Sequence, residues 1–135
     1  MKKLTIGLLS LTVLFTACKK DKDAPAITKE NIAGSYKVIA EVSKEEGQAE
    51  VDDYAAWPAC EKDDIEKFNL DGSYLHIDAA TVCDPAGDGE STWSVEGNTF
   101  SIGEQQYAVT KFDGSILELK FSDIGYTVKV TLQKQ

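Results

Sequence analysis

Three cysteines and one histidine are the residues of this 135-residue chain with the most reactive side chains. Cys60 precedes the charged run Glu-Lys-Asp-Asp, Cys83 opens a glycine-rich acidic segment, and His76 stands between them. A cysteine beside acids can be half of a metal site, a reactive thiol or half of a disulfide. Because the sequence has no Cys-x-x-Cys or His-x-His spacing, zinc or copper ligation is not favoured. The choice between thiol and disulfide depends on the compartment in which the protein resides.

The first 17 residues have the pattern of a secretory signal peptide. Lys2 and Lys3 supply a basic start, and residues 4–15 form an apolar run too short to remain as a membrane-spanning helix. Small residues ahead of Cys18 resemble the lipobox of bacterial lipoproteins. This resemblance implies cleavage after residue 17 and a lipid on Cys18. We expect residues 18–27 to be the lipidated cysteine and a flexible charged tether.

The mature chain is strongly acidic. Loss of the two leader lysines leaves 12 lysines and no arginine against 23 acids, a formal charge of −11. Arginine is the residue best suited to bidentate phosphate contacts, so nucleic acid is not an expected partner. We expect the lipid alone to make the membrane contact. This predicts a cell-envelope protein anchored to the outer membrane of a Gram-negative bacterium, facing either the periplasm or the outside.

Cys60 and Cys83 remain as an even pair once Cys18 carries lipid, and exported proteins retain disulfides. If Asp71-Gly72 is a two-residue turn, strand pairing places the two cysteines opposite each other at the mouth of one hairpin. The same residues suit a three-residue loop with a bulge, so this register stays open. We predict a Cys60–Cys83 disulfide, which would contribute roughly 3 kcal/mol for a loop of about 24 residues.

The chain from residue 34 onward has the alternating pattern of β-strands, after one helical turn that Thr28 would cap. The clearest hairpin turns on Gly97-Asn98 and pairs Trp93 with Ile102. Eight strands are predicted, over residues 36–42, 65–70, 73–78, 91–96, 99–102, 107–112, 116–121 and 126–132. The expected fold is all-β, since eight sequentially paired antiparallel strands are enough to close an up-and-down barrel.

Two long connections fall at the same end of such a barrel, and tight turns join the strands at the other end. The first long loop, residues 43–63, holds Tyr54 and Trp57, which either line the mouth as a lid or fold back onto the rim. The acids that follow Cys60 are expected to face solvent at this rim. In the second long loop, residues 83–90, the spacing of the acids favours a polar turn over a weak calcium site. Long loops on a rigid scaffold are typical of binding proteins.

The sequence over about residues 32–133, nearly all of the mature domain at residues 28–135, resembles the lipocalin superfamily, and more closely the small lipocalin-like lipoproteins of Gram-negative bacteria. The matching motifs are Ile-Ala-Gly-Ser-Tyr at 32–36, Cys-Glu-Lys-Asp-Asp at 60–64, Phe-Asn-Leu-Asp-Gly-Ser-Tyr at 68–74, Cys-Asp at 83–84 and Thr-Trp-Ser at 92–94. The resemblance implies a calycin-type barrel that binds a small, largely apolar molecule. Tyr36 stands where lipocalins carry Trp, and Lys134 is the nearest cation by position to their Arg. The plug at the closed end is therefore either rebuilt or absent.

The candidate ligand contacts are inward strand residues and the aromatic residues of the first long loop. They are Tyr36, Val38, Tyr54, Trp57, Phe68, Trp93, Val95, Phe100 and Val128. The leading hypothesis is a membrane-anchored binding protein for a small apolar ligand. The alternative is a protein–protein interaction module at the cell surface or in the periplasm, with a fully packed barrel. We assign no catalytic residue, metal or cofactor, because no nucleophile stands beside a base.

Overall fold

The computed structural model describes residues 24–135. The predicted signal peptide and Cys18 lie outside the described residues. The described chain contains a short helix, a 3-10 turn and nine strands. They are α1 (Lys29–Ile32), β1 (Gly34–Glu45), β2 (Val51–Asp52), the 3-10 turn Tyr54–Ala56, β3 (Ile65–Phe68), β4 (Ser73–Ile77), β5 (Gly89–Glu96), β6 (Thr99–Ile102), β7 (Gln105–Phe112), β8 (Ile116–Asp123) and β9 (Tyr126–Lys134). No helix within residues 24–135 combines the length and hydrophobicity needed to cross a bilayer.

The strands form one closed antiparallel barrel. Each strand from β3 to β9 pairs with the next along the chain, and β1 closes the ring by pairing with both β3 and β9. The short β2 adds to the edge of β1 near its end, outside the ring of eight. The predicted all-β, eight-stranded up-and-down barrel is therefore confirmed, with one additional strand. The first long loop now spans residues 46–64 and the second spans residues 78–88.

The sequence predicted the register of one hairpin and left that of another open. Trp93 pairs with Ile102 across the β5–β6 turn, as predicted. In the β3–β4 hairpin Phe68 pairs with Tyr74, and the Asn69 N–H donates to the Ser73 carbonyl at 2.9 Å. This leaves a three-residue loop, residues 70–72, rather than a two-residue turn. Gly72 adopts a φ of +93° there, a conformation that only glycine adopts without strain. The register that the sequence left open is thus the bulged one.

A β-bulge between Val38 and Ala40 changes which side of β1 faces inward. Strict alternation after Tyr36 would turn Ala40 and Val42 toward the interior. The extra residue in the bulge reverses the two faces for the rest of the strand. Glu41, paired with a valine of β9, consequently lines the interior, whereas Val42 lines a groove on the outside.

The end of the barrel with the tight turns is closed by a buried core and by α1. Thr28 caps α1 as predicted, since its hydroxyl accepts a hydrogen bond from the backbone N–H of Asn31. The buried Tyr36 donates its hydroxyl to the Ile32 carbonyl at 2.6 Å. Lys134 donates to the Asn31 carbonyl at 2.9 Å, and its Nζ lies 5.6 Å from the centre of the Tyr36 ring. A closed-end plug made of α1, Tyr36 and Lys134 is therefore present.

Candidate functional site

A cavity of about 170 Å³ lies inside the barrel, beside the first long loop. Most of its wall is apolar, because inward positions of seven strands converge on it. The aliphatic and phenyl side chains of the wall are Val38, Phe68, Ile102, Leu119, Val130 and Leu132. An apolar cavity of about 150 Å³ is large enough to take up benzene. The interior can therefore hold a molecule of about one ring.

Three of the nine predicted ligand contacts line this cavity, namely Val38, Trp57 and Phe68. Three others, Tyr36, Trp93 and Phe100, are buried in the core at the closed end instead. Tyr54, Val95 and Val128 are also absent from the cavity wall. The physical reason is that the aromatic residues at the closed end pack against one another around Phe68, with ring centres 5.2–5.6 Å apart, and so fill that part of the barrel.

The first long loop covers a gap in the barrel wall. β3 pairs with β1 only along Gly34, Ser35 and Tyr36, and β2 pairs with it only at Val42 and Ser43. Between these two pairings the Glu41 carbonyl accepts a hydrogen bond from the Asp53 N–H at 3.0 Å, and the 3-10 turn contacts β1. Trp57 lines the cavity from this loop and also packs against the core, with its ring 5.4 Å from that of Tyr54. Trp57 thus combines the two roles that the sequence left open, because it borders the cavity and caps the core.

Two carboxylates and two phenols also line the cavity, and the sequence reasoning missed all four as ligand contacts. They are Glu41, Glu66, Tyr74 and Tyr107. Of the four, Glu66 alone has a spacing in the sequence that marks it as inward, since Tyr74 faces inward only in the hairpin register that the sequence left open. Glu66 stands two residues before the inward Phe68, and a spacing of two keeps the same face. The sequence does not indicate that Glu41 faces inward, because the bulge interrupts the alternation of inward and outward residues in β1.

His76 joins the cavity wall to the first long loop. Its Nδ1 lies 2.9 Å from Oε1 of Glu66, and its Nε2 lies 3.3 Å from Oδ2 of the buried Asp64. Glu66 also accepts a hydrogen bond from the Tyr74 hydroxyl. Burial opposes the charged imidazole, but the carboxylates of Glu66, Asp64 and Asp78 outweigh it and raise the pKa of His76 above 6.5.

The carboxylate of Glu41 has no hydrogen-bond or ion-pair partner within the described chain. Burial, followed by repulsion from Asp53, raises the pKa of Glu41. Burial, Glu41 and Glu66 together raise the pKa of Tyr107. The phenols therefore remain neutral donors at neutral pH, while the Glu41 carboxylate is the polar group of the cavity that is free to accept.

A disulfide joins Cys60 to Cys83, with a Cα–Cα distance of 5.4 Å, and confirms the predicted pair. The acids beside Cys60 do not all face solvent, contrary to expectation. Oδ2 of Asp63 accepts a hydrogen bond from the Thr81 backbone at 3.1 Å, and Oδ1 of the buried Asp64 accepts one from Ala79 at 3.2 Å. These bonds connect the first long loop to the second long loop beside the disulfide. They also give acceptors to backbone N–H groups of the second loop, which would otherwise be unpaired.

The second long loop is organised around Asp78. The side chain of Asp78 accepts hydrogen bonds from the backbone N–H groups of Cys83 at 3.0 Å and Gly87 at 2.9 Å. Asp88 accepts one from the backbone of Asp78 at 3.0 Å. Among residues 24–135, no three His, Cys, Asp or Glu side chains are grouped so that they could hold a metal ion. Asp78 and Asp88 therefore serve as acceptors for the backbone of this loop.

The sequence matches no protein-family model and no curated protein. Its function has to be inferred from the fold and from the residues that line the cavity.

Proposed function

We propose that the protein is a membrane-anchored, lipocalin-like binding protein that holds a small, largely apolar molecule inside its barrel. The observation that carries this proposal is the 170 Å³ interior cavity with its mainly apolar wall. Binding pockets for drug-sized molecules occupy about 300–1,000 Å³. The ligand is therefore small, about one ring or a short branched chain, and long acyl chains do not fit.

The first long loop is the route by which a ligand would enter. Its far end is fixed by the disulfide at Cys60 and by the bonds of Asp63 and Asp64 to the second loop. Within this loop Trp57 borders the cavity, directly after the 3-10 turn Tyr54–Ala56. Displacement of this short segment would open the gap between β1 and β3. Because the anchored end stays in place, entry requires no unfolding of the barrel.

The position of the N-terminal segment supports a lipid anchor that leaves the loops free. Pro25 lies against the β7–β8 turn, since a Cβ on Gly114 would be 3.4 Å from its Cγ. The described chain therefore begins at the closed end, opposite the long loops. A lipid on Cys18 would orient the closed end toward the bilayer and the loops away from it. In cell fractionation we expect Cys18→Ser to move the protein from the membrane to the soluble fraction, and continued pelleting would contradict the anchor.

An interaction module with a fully packed barrel was the alternative hypothesis. The cavity does not favour it, because the interior retains unfilled volume. Apolar side chains at the loop end, such as Val51, Val82 and Ile124, are exposed but lie on three separate segments. Single exposed apolar residues of this kind are normal at protein surfaces.

Native mass spectrometry of the soluble Cys18→Ser protein, residues 18–135, tests the proposed function. We expect a complex with one small molecule, either carried through purification or formed on addition of single-ring compounds. Val130→Phe should abolish the complex, because the larger side chain occupies the cavity. Val42→Phe makes the same change on the outside of the barrel and should retain it. A wild-type protein that stays unliganded with every compound, or that loses the complex equally in both variants, contradicts the proposal.

A further inference from the structure

The charged groups of the cavity are acidic. Eleven side chains of the described chain line it, and among them Glu41 and Glu66 are the charged residues while lysine is absent. The whole sequence contains no arginine. The imidazole of His76 is held between Glu66 and Asp64 and does not line the cavity. An anionic ligand would therefore be desolvated beside two carboxylates with no cation to compensate.

The two carboxylates differ in what they already bind. Glu66 accepts from the Tyr74 hydroxyl and from the His76 ring, so its acceptor positions are largely used by the protein. The carboxylate of Glu41 makes neither a hydrogen bond nor an ion pair with any residue from 24 to 135. With no partner in the described chain, the Glu41 carboxylate keeps its acceptor positions open, and a ligand that covers it must donate to it or leave a buried charge unpaired. Glu41 is thus the group of the cavity that is available to a ligand.

The surroundings of Glu41 suit a positive charge on an apolar body. Phe68, Trp57 and Tyr107 border the same cavity, and aromatic faces attract ammonium groups. Val130, the β9 partner of Glu41, and Leu119 provide aliphatic wall beside it. The cavity volume limits the body to about one ring.

We propose that the ligand is a small organic ammonium ion, a single ring or short branched chain bearing an amine, with its ammonium group on Glu41. This inference rests on the proposed function, because it names the ligand class of the same cavity. The body lies among Phe68, Leu119 and Leu132, and the ammonium group donates hydrogen bonds to the Glu41 carboxylate. Acids of the same shape are excluded by charge.

Three compounds with the same ring and different charge test this inference in calorimetric titrations. The compounds are 2-phenylethylamine, 2-phenylethanol and 3-phenylpropionate, and the protein is the soluble Cys18→Ser chain, residues 18–135. We expect the amine to bind at least about tenfold more tightly than the alcohol, and the carboxylate most weakly, since hydrogen bonds to charged groups are the stronger ones. Glu41→Gln should remove the preference for the amine while leaving the affinity for the alcohol within about twofold. Glu96→Gln removes the same charge at an exposed turn and should change neither affinity.

The outcomes separate the ligand class from the binding function. If the alcohol binds in the cavity as tightly as the amine, or if Glu41→Gln keeps the preference for the amine, the ammonium assignment is overturned and the binding function stands. If none of the three compounds binds to the wild-type protein, the ammonium assignment is overturned, and the native mass spectrometry described above decides the binding function. Binding of the amine that Val130→Phe leaves unchanged also overturns the assignment, because the amine would then be bound outside the cavity.

Discussion

Nδ1 of His76 lies 2.9 Å from Oε1 of Glu66, which joins the one imidazole of the chain to a carboxylate of the cavity wall. The other ring nitrogen faces Asp64 at the base of the first long loop. The state of His76 therefore affects both the wall and the loop that covers it. Three carboxylates, those of Glu66, Asp64 and Asp78, act on this ring and favour its charged form.

The raised pKa of His76 predicts a pH dependence of stability. Protonated His76 stabilises the fold fully below the unfolded-state pKa of about 6.5, and this contribution is lost as the pH rises through the folded-state pKa. We expect the free energy of unfolding of wild type, relative to His76→Gln, to decrease from about pH 6 to above that pKa. Urea denaturation across this range measures it. A difference that is constant with pH would contradict the expectation.

The same pKa can be measured directly by NMR titration of an untagged protein, in which His76 gives the only imidazole signals. We expect a midpoint above about 6.5, and a lower midpoint in Glu66→Gln, because that substitution removes the nearest favourable charge. A wild-type midpoint at or below the ordinary value would show that burial outweighs the carboxylates.

The disulfide should make a large contribution to stability. Cys60 and Cys83 are separated by 23 positions, and closing such a loop contributes roughly 3 kcal/mol. We expect the double variant Cys60→Ala with Cys83→Ala to lose about that much free energy of unfolding in urea titrations. Thiol titration of the denatured, unreduced Cys18→Ser protein should find no free thiol. One or two reactive thiols would show that the bridge does not form in the cell.

Filling the cavity should separate ligand binding from stability. Val130→Phe places extra volume into unfilled space, so we expect a change in the free energy of unfolding smaller than the 1–3 kcal/mol typical of overpacked cores. Urea denaturation measures it. A loss well above about 3 kcal/mol would indicate that the cavity walls cannot accept the ring and that the interior is rigidly packed.

Gly34 is constrained by the closed-end plug. It adopts a φ of +151°, and a Cβ there would lie 2.6 Å from Cε of Lys134, whose Nζ contacts Asn31 and the Tyr36 ring. We expect Gly34→Ala to cost about 1–3 kcal/mol from backbone strain, and more because Lys134 must move. Gly47→Ala is the matched control, since its φ is +77° but a Cβ would meet no other atom of the described chain within 4 Å. An equal loss in both variants would mean that the Lys134 contacts add nothing.

Much of the barrel could be predicted from the sequence because turn chemistry and alternation agree. The Gly97-Asn98 turn and the apolar alternation around it specify one register, which the structure contains. Asp71-Gly72 suits two loop lengths, so local residues could not select between them. The structure selects the longer one, which brings Phe68 opposite Tyr74.

The polar part of the cavity was less predictable, for two different reasons. Glu66 has the spacing of an inward residue, but a charged side chain reads as solvent-facing until its partners Tyr74 and His76 are known. Glu41 faces inward only because of the bulge after Val38, and a bulge depends on pairing with β9 rather than on local sequence. The aromatic residues of the closed end were predicted to be inward, but alternation cannot distinguish a packed core from a cavity wall.

The most direct test of ligand binding inside the barrel is NMR mapping of amide shifts as 2-phenylethylamine is added to the soluble Cys18→Ser protein. Saturable shifts should concentrate around the cavity, at Val38, Glu41, Phe68, Leu119 and Val130, and should leave the outward-facing Thr110 and Lys129 unchanged. Shifts confined to the outer face, or the absence of any saturable shift, would contradict binding of this amine inside the barrel.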